Sequence, residues 1–475
     1  MKILIINLPR YQGSSVTREG RCELLLNYRV DTPATLLIIA SLLRKNNYEI
    51  DFIDANGLNI GKRDIIVRLK NKKYDCIIFT FVSEIIDHEL SFCDLFKKIN
   101  PSCTTIGFSW YAKNFGEEIL NEFRNLDILI IDDPFSVIED LIKNLDKSEN
   151  LSDVGGIVYR NYNNEIKKNP KLNKRIKFND LPIPAYDLLT TFKPYYIYSP
   201  LLRPYALIYA GKGCPFGCAY CNVANTKYSG KSAVNIIKEL KVLKKLGKIK
   251  YIWFFDEIFT INRKRVVEIC KKMIQEKIKI KWLCDSRVDL VDEELLRLMR
   301  KAGCIGIAYG IESGSQKILN SMNKGITIEQ ARNALKWTRK AHIPIQLNLI
   351  FGYIGENKKT LKETEFFVRN TLPEFLQITK MMALENTDFM HTAIKNEWMK
   401  EDLHWKTNLI VTRKKLINYS PYDLDLRGER KKLEKALYLN PKWWFICFRT
   451  LIRNPKLIMP IFGIILNKSQ SINLL

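Results

Sequence analysis

LIYAGKGCPFGCAYCN, residues 207–222, joins a strand-like apolar run to three closely spaced cysteines, Cys214, Cys218 and Cys221. Further strand-like runs follow at YIWFFD (251–256), KWLCDS (281–286), IGIAYGIES (305–313), IQLNLIFG (345–352) and LQITKMMA (376–383). Amphipathic helical stretches such as SAVNIIKELKVLKKL (232–246) separate them. Six successive βα units predict a partial (β/α)6 barrel rather than an open sheet. The cysteines then lie just past the carboxyl end of the first barrel strand, where a loop can wrap thiolates around a metal centre.

On the N-terminal side, KILIIN (2–7), EIDFIDA (49–55), CIIFTFV (76–82), CTTIGFS (103–109) and LDILIIDD (126–133) read as strands, with a helix over 32–47 after the first. This predicts a doubly wound, Rossmann-like α/β domain over 1–148. Its ligand site belongs at the carboxyl ends of the strands, in the loops after Asn7, Val82 and Gly107. Residues 149–198 read as a linker with a hairpin at GGIVYRNYNNEIKKNPKL (155–172), followed by the proline-containing FNDLPIPAYDLL (178–189). The barrel takes 199–395, and 396–475 form a C-terminal helical region. There, NPKWWFICFRTLIRNPKLIMPIFGIIL is interrupted by Arg449, Arg453 and Lys456 and broken by Pro455 and Pro460, so no apolar run reaches the ~20 residues of a membrane span. Packing against the barrel is one reading of this tail. Interfacial membrane contact, with Trp443, Trp444 and flanking cations at headgroup level, is the other.

The 475 residues carry 76 Lys and Arg against 51 Asp and Glu, a formal charge of +25. The cations are scattered and form no basic run with interleaved aromatics, so no dedicated nucleic-acid role follows. A hydrophobic fraction of 46% with 27% charged residues is that of a globular chain. MKILIINLPRYQ lacks a cleavage site and reads as a strand, which places the protein in the cytoplasm, with the inner membrane face as a peripheral option. In that reducing compartment the eleven cysteines are not expected to form disulfides.

The C-x3-C-x2-C spacing leaves three readings open: a zinc site, inert thiols, or a [4Fe–4S] cluster with one iron lacking a protein ligand. Zinc asks for a fourth Cys or His at suitable spacing, and the next cysteine is the distant Cys270. The cluster reading needs only the three thiolates, with Gly213 and Gly217 allowing close backbone approach.

This array resembles that of the radical S-adenosylmethionine superfamily. IWFFDEIFTINRKRV (252–266), WLCDSRVDLVDEELLRLMRKAGCIGIAYGIESGSQKILNSMNKGIT (282–327) and LIFGYIGENKKTLKET (349–364) resemble successive blocks of its members with an N-terminal cobalamin-binding domain. TPATLLIIASLLRKNNYEIDFIDANG (32–57) resembles that domain's first helix and second strand. The resemblance spans roughly 1–395 and implies a cluster on Cys214, Cys218 and Cys221, S-adenosylmethionine on the open iron, and cobalamin. It implies that Tyr220 lies near the adenine, that Asp256 or Glu257 takes the α-ammonium, that Arg287 pairs the carboxylate bidentately, that Glu312 accepts ribose hydroxyls, and that Gly352 permits close approach to the adenine. Structural alternatives stand beside these: helix capping by Asp256 and Glu257, an ion pair of Arg287 with Asp289 or Glu293, and a plain turn at GIESGS.

The chain departs from the family pattern in places. The cobalt-ligating D-x-H-x-x-G loop is absent, and His88 is expected on a helix face, ligating nothing. Gly107-Phe108-Ser109-Trp110 stands where relatives have Gly-Gly, Phe81-Val82-Ser83-Glu84 where they have small hydroxyl residues, Ile354 where they have proline, and ALENTD (383–388) where a PGT turn is common. The implied activity is cobalamin-dependent methylation of an unactivated carbon. Alternatives are radical cyclisation, rearrangement or carbon–carbon coupling on a lipid-like or tetrapyrrole-like substrate, or a cluster-bearing binding or sensor protein. The implied partners are an organic substrate and an external electron donor of the flavodoxin or ferredoxin type.

Overall fold

Five of the six residues of KILIIN are fully buried, as befits a strand inside a parallel sheet covered on both faces. In the computed structural model, which describes residues 1–20, 22–26, 29–110, 112–172, 175–197, 201–384, 386–397 and 424–457, this is β1 (Lys2–Asn7). It lies between β4 (Glu49–Asp54) and β5 (Cys76–Thr80), both parallel to it. β6 (Thr104–Phe108) and β7 (Ile128–Ile130) continue the parallel sheet, and α1 (Ala34–Lys45), α2 (Lys62–Leu69), α3 (Ile86–Ile99), α4 (Gly116–Glu122) and α5 (Pro134–Asp146) connect the strands. The chain reverses direction across the sheet at β1, so the switch point falls between the carboxyl ends of β1 and β5.

Two features differ from the sequence reading. A hairpin of β2 (Ser15–Glu19) and β3 (Cys22–Leu26) is inserted between β1 and α1. SVTRE mixes charge with β-branched residues and has no apolar alternation to reveal it. The second hairpin, β8 (Ile157–Arg160) and β9 (Ile166–Lys168), is where expected, yet β8 pairs antiparallel with β7 and extends the sheet. The segment read as a linker is thus part of the first unit, which comprises Met1–Leu207 and Leu243–Ile249.

The second unit comprises Ile208–Val242 and Lys250–Leu475. The six-stranded sheet runs in simple order: β10 (Tyr205–Ile208), at the boundary of the two units, then β13 (Tyr251–Phe254), β14 (Lys281–Ser286), β15 (Cys304–Glu312), β16 (Ile345–Phe351) and β17 (Phe375–Lys380). A small ladder of β11 (Gly211–Lys212) and β12 (Ser229–Gly230) brackets the cysteine loop. The helices α6 (Ala233–Gly247), α7 (Arg263–Gln275), α8 (Glu293–Lys301), α9 (Gln316–Ser321), α10 (Ile328–Lys340) and α11 (Lys358–Thr371) connect the strands. Side-chain caps start them sharply: Asn262 on α7, Asp292 on α8, Thr327 on α10 and Asn357 on α11. β16 alternates strictly between buried Ile345, Leu347, Leu349 and Phe351 and half-buried Gln346, Asn348 and Ile350. One face is thus fully covered and the other is not.

Beyond β17 come α12 (Asp388–Lys395), α13 (Leu426–Tyr438) and α14 (Pro441–Arg453). Trp443 is 1% exposed and its indole donates to the Pro373 carbonyl at 2.8 Å. Thr450 donates to Glu374 at 3.0 Å. The packing reading of the tail therefore holds for this helix, and Trp443 is removed from any membrane-facing set. No helix among the described residues is long and apolar enough to cross a membrane. Pro460 and the last part of the apolar run lie outside the described residues.

Candidate active site

Gly213 has φ +97°, and a Cβ there would stand 2.3 Å from the Lys227 carbonyl oxygen, so only glycine lets the strand turn into the cysteine loop. The loop is closed by its own backbone. Thr226 Oγ1 accepts the Cys214 N–H at 2.9 Å while the Thr226 N–H returns to the Cys214 carbonyl at 2.9 Å. Cys221 N–H donates to the Cys218 carbonyl, and Asn225 N–H to that of Phe216. From outside, Ala219 donates to the Met322 carbonyl, Phe389 to the Ala219 carbonyl, and Asn323 Nδ2 to the Gly217 carbonyl at 2.6 Å. Cys214 and Cys218 are buried and Cys221 is half-buried.

Among the described residues no trio of His, Cys, Asp or Glu closes on a single-ion position. A four-iron cluster makes a different demand, since each thiolate goes to its own iron. The loop fits it: the three cysteines come from one backbone-braced turn, and the Arg287 guanidinium lies 3.9 Å from Cys218 Sγ, where it would offset thiolate charge.

The structure redistributes the other expected roles. Asp256 is buried, accepts the amides of Ala210 and Gly211 on one oxygen at 2.8 Å each, and meets Arg265 at 3.2 Å with the other. Burial pushes its carboxyl up to about 6 against the opposing pull of Arg265 and the two amides. It ties β10, β13 and α7 together and caps no helix. Glu257 is half-buried, with one oxygen on the Gly213 amide at 3.0 Å. Arg287 places Nε and Nη2 on Asp289 at 2.9 and 3.0 Å, and its plane stacks 3.8 Å from the Phe216 ring centroid. Its bidentate edge is thereby engaged by the carboxylate two residues on, the local ion-pair alternative.

Glu312 sits at the end of β15 with φ +74°, just past a register shift. Its carboxylate pairs with Lys324 at 2.8 Å, and Lys324 Nζ also reaches the Tyr220 hydroxyl at 3.1 Å. Burial, with Glu312 and the neighbouring thiols, pushes the Tyr220 phenol up. Tyr220 also packs edge-on to Tyr353 at 6.4 Å, so GIESGS is more than a turn: it supports a carboxylate, ammonium and phenol cluster beside the cysteines. Sequence reasoning missed Lys324. Its signal was weak, a lysine before Gly325 in SMNKGIT. Gly352 adopts φ +88° and donates to Glu356 at 2.6 Å, and burial pushes the Glu356 carboxyl up to about 7.

In the first unit the switch-point crevice is occupied by the protein's own charges. Arg18, from the unforeseen hairpin, donates to the Leu8 and Pro9 carbonyls and to Asn7 Oδ1 at 3.0 Å each, and pairs with Glu89 of α3. Glu89 also accepts the Val82 amide at 2.9 Å. Phe81, Val82 and Phe108 are buried and turn inward, so they do not crowd the rim. Gly107 is needed for internal packing, since a Cβ would lie 3.2 Å from Leu126 and Phe81 side-chain atoms. His88 sits on α3 edge-on to Tyr11 and Phe92, at 5.0 and 5.7 Å.

Residues 208–368 match the Radical SAM superfamily sequence profile. The chain is 26% identical over 417 residues to an uncharacterized methyltransferase of Pyrococcus horikoshii, covering 86% of this chain and 88% of that protein. It is 26% identical to the anaerobic magnesium-protoporphyrin IX monomethyl ester cyclase of Rubrivivax gelatinosus, over 79% of this chain and 66% of that one. Its fold superposes on the radical S-adenosylmethionine methyltransferase TsrM of Kitasatospora setae, solved with cobalamin and a [4Fe-4S] cluster, with a TM-score of 0.72 at 11% identity over 93% of this chain and 91% of that one. Residues 208–368, with the braced three-cysteine loop, match the radical S-adenosylmethionine superfamily: the chain is an enzyme whose cofactors include a [4Fe–4S] cluster and S-adenosylmethionine, and which needs a substrate and a reductant.

Proposed function

We propose that the protein methylates an unactivated carbon in a cobalamin-dependent radical reaction. The observation that carries the radical half is the cysteine loop braced by Thr226 and faced by Arg287. Methylation draws support from the methyltransferase name of the Pyrococcus relative and from the shared fold with a cobalamin-bound methyltransferase. When bound, the cluster and S-adenosylmethionine supply a 5′-deoxyadenosyl radical that removes a substrate hydrogen, and methylcobalamin supplies the methyl group.

The chain's own residues then have separable tasks. Cys214, Cys218 and Cys221 hold the irons. Glu257, with one carboxylate oxygen on the Gly213 amide, is placed beside the loop to take the α-ammonium. Glu312, fixed by Lys324, orients the ribose hydroxyls, and Tyr220 flanks the adenine. Arg287 tunes the cluster through Cys218. The first unit is proposed to hold cobalamin over a rim from which Phe81, Val82 and Phe108 are withdrawn.

Radical cyclisation is the second reading, favoured by similarity to the cyclase of Rubrivivax. A flavodoxin- or ferredoxin-type donor is the proposed reductant. The exposed face of α14, with Phe445 61%, Phe448 62% and Ile452 66% exposed beside Arg449 and Arg453, is proposed to rest on a membrane surface in the cytoplasm.

The test is anaerobic reconstitution with hydroxocobalamin, S-adenosylmethionine and a one-electron reductant. Release of 5′-deoxyadenosine is expected, and it should vanish with the cluster iron in Cys214→Ala, Cys218→Ala and Cys221→Ala. With substrate present, S-adenosylhomocysteine should form alongside it. Release of 5′-deoxyadenosine alone during substrate turnover removes the methylation reading.

A further inference from the structure

The lumen face of the barrel is not lined like an apolar core. In register across the sheet, Asp285 of β14 neighbours Ala308 of β15, Ala308 neighbours Gln346 of β16, and Asn348 neighbours Gln377 of β17. These side chains share one face of a parallel sheet because registered residues point the same way. Gln346 Nε2 donates to both Asn348 Oδ1 at 2.9 Å and Gln377 Oε1 at 3.0 Å. The three amides are thereby linked as a rack. Gln377 is exposed and Gln346 and Asn348 are half-buried, although they lie within strands.

Towards β13 the same face is aromatic. Phe255 packs edge-on to Trp253 at 5.2 Å and to Tyr209 at 5.9 Å. The Trp253 indole is held by its N–H on Asp285 Oδ2 at 3.0 Å. Trp253 is registered with Leu283, two residues before Asp285, which puts this aromatic set on the lumen face too. One part of this face therefore offers ring surface, and another offers fixed hydrogen-bonding groups.

We propose that the substrate is a planar, heteroatom-bearing ring system whose flat face lies on Phe255, itself propped by Trp253, and whose edge carries acceptors for the amides of Asn348 and Gln377, which Gln346 holds in place. This rests on the barrel being the reaction chamber of the proposed radical reaction, and it disfavours the lipid-like substrate. An alkyl chain would cover the rack without satisfying it, weakening affinity by roughly tenfold or more for each stranded group. A flat heterocycle gains from the ring wall through offset or edge-on contact.

The test is equilibrium dialysis of reconstituted holoenzyme, with S-adenosylmethionine present, against L-tryptophan, guanosine, coproporphyrin III and palmitate. Saturable binding of at least one planar probe and none of palmitate is expected. Gln377→Leu, at an exposed position, should weaken that binding by about tenfold, and Gln346→Leu with Asn348→Leu should weaken it further. Retained visible absorbance of the cluster certifies that each variant is folded. Preferential binding of palmitate, binding of no planar probe, or unchanged affinity in both leucine variants overturns the proposal. Release of 5′-deoxyadenosine from the same preparation is scored separately: its loss with planar binding intact overturns the radical reading, and its presence with palmitate preferred overturns only the substrate class.

Discussion

Both units place charged side chains at the carboxyl ends of parallel strands, yet they use them in opposite ways. In the first, Arg18 and Glu89 are almost completely buried and every guanidinium nitrogen that donates does so to the protein's own carbonyls, Asn7 or Glu89. In the second, Lys324 and Glu312 are slightly more open and share their site with a phenol and the cysteine loop. A fully internal ion pair holds loops in place. The pair beside the cysteine loop is the one proposed above to orient a bound group. The difference is one of exposure and neighbours, not of charge.

The largest test of this contrast is Arg18→Met. It strands Glu89 in an apolar setting and should cost about 3–5 kcal/mol of stability, read by urea unfolding, with most of the loss recovered in the double variant Arg18→Met, Glu89→Leu. Cluster iron per chain should not change. If the single variant loses less than about 1 kcal/mol, the crevice pair behaves like a surface pair and the contrast fails.

A smaller effect on stability but a direct one on binding is expected for Lys324→Met. Freed of its partner, Glu312 should no longer orient ribose hydroxyls, and KM for S-adenosylmethionine in the uncoupled reaction should rise by about tenfold, with partial rescue by Lys324→Arg. An unmoved KM accompanied by a stability loss as large as that of Arg18→Met would place this pair in the same structural class as the first.

An effect of similar size on binding, with none on stability, belongs to a third arrangement, an apolar face with nothing described covering it. α14 turns Trp443 inward and Phe445 and Phe448 outward. Phe445→Ser with Phe448→Ser should lower partition into anionic phosphatidylglycerol vesicles by about tenfold while leaving unfolding midpoints in place. Equal partition of variant and wild type would discard the membrane contact.

The sequence by itself determined what is local. Three cysteines within eight residues must share a loop, periodicity revealed both strand series, and Gly213 and Gly217 marked a place of close backbone approach, which the structure shows at Gly213 to be a turn that only glycine makes. It also carried, in IQLNLIF, an alternation showing that one face of β16 is not core. Tertiary structure decided everything that depends on who stands opposite. Arg18 and Glu89 are 71 residues apart, and Gln346 and Gln377 are 31 apart. Arg287 faces Asp289 and Cys218 rather than leaving its planar edge open. Hydrogen bonds and ion pairs are short-ranged and directional, so a side chain's role is set by the few partners that folding brings within about 3 Å, and spacing along the chain does not encode that choice.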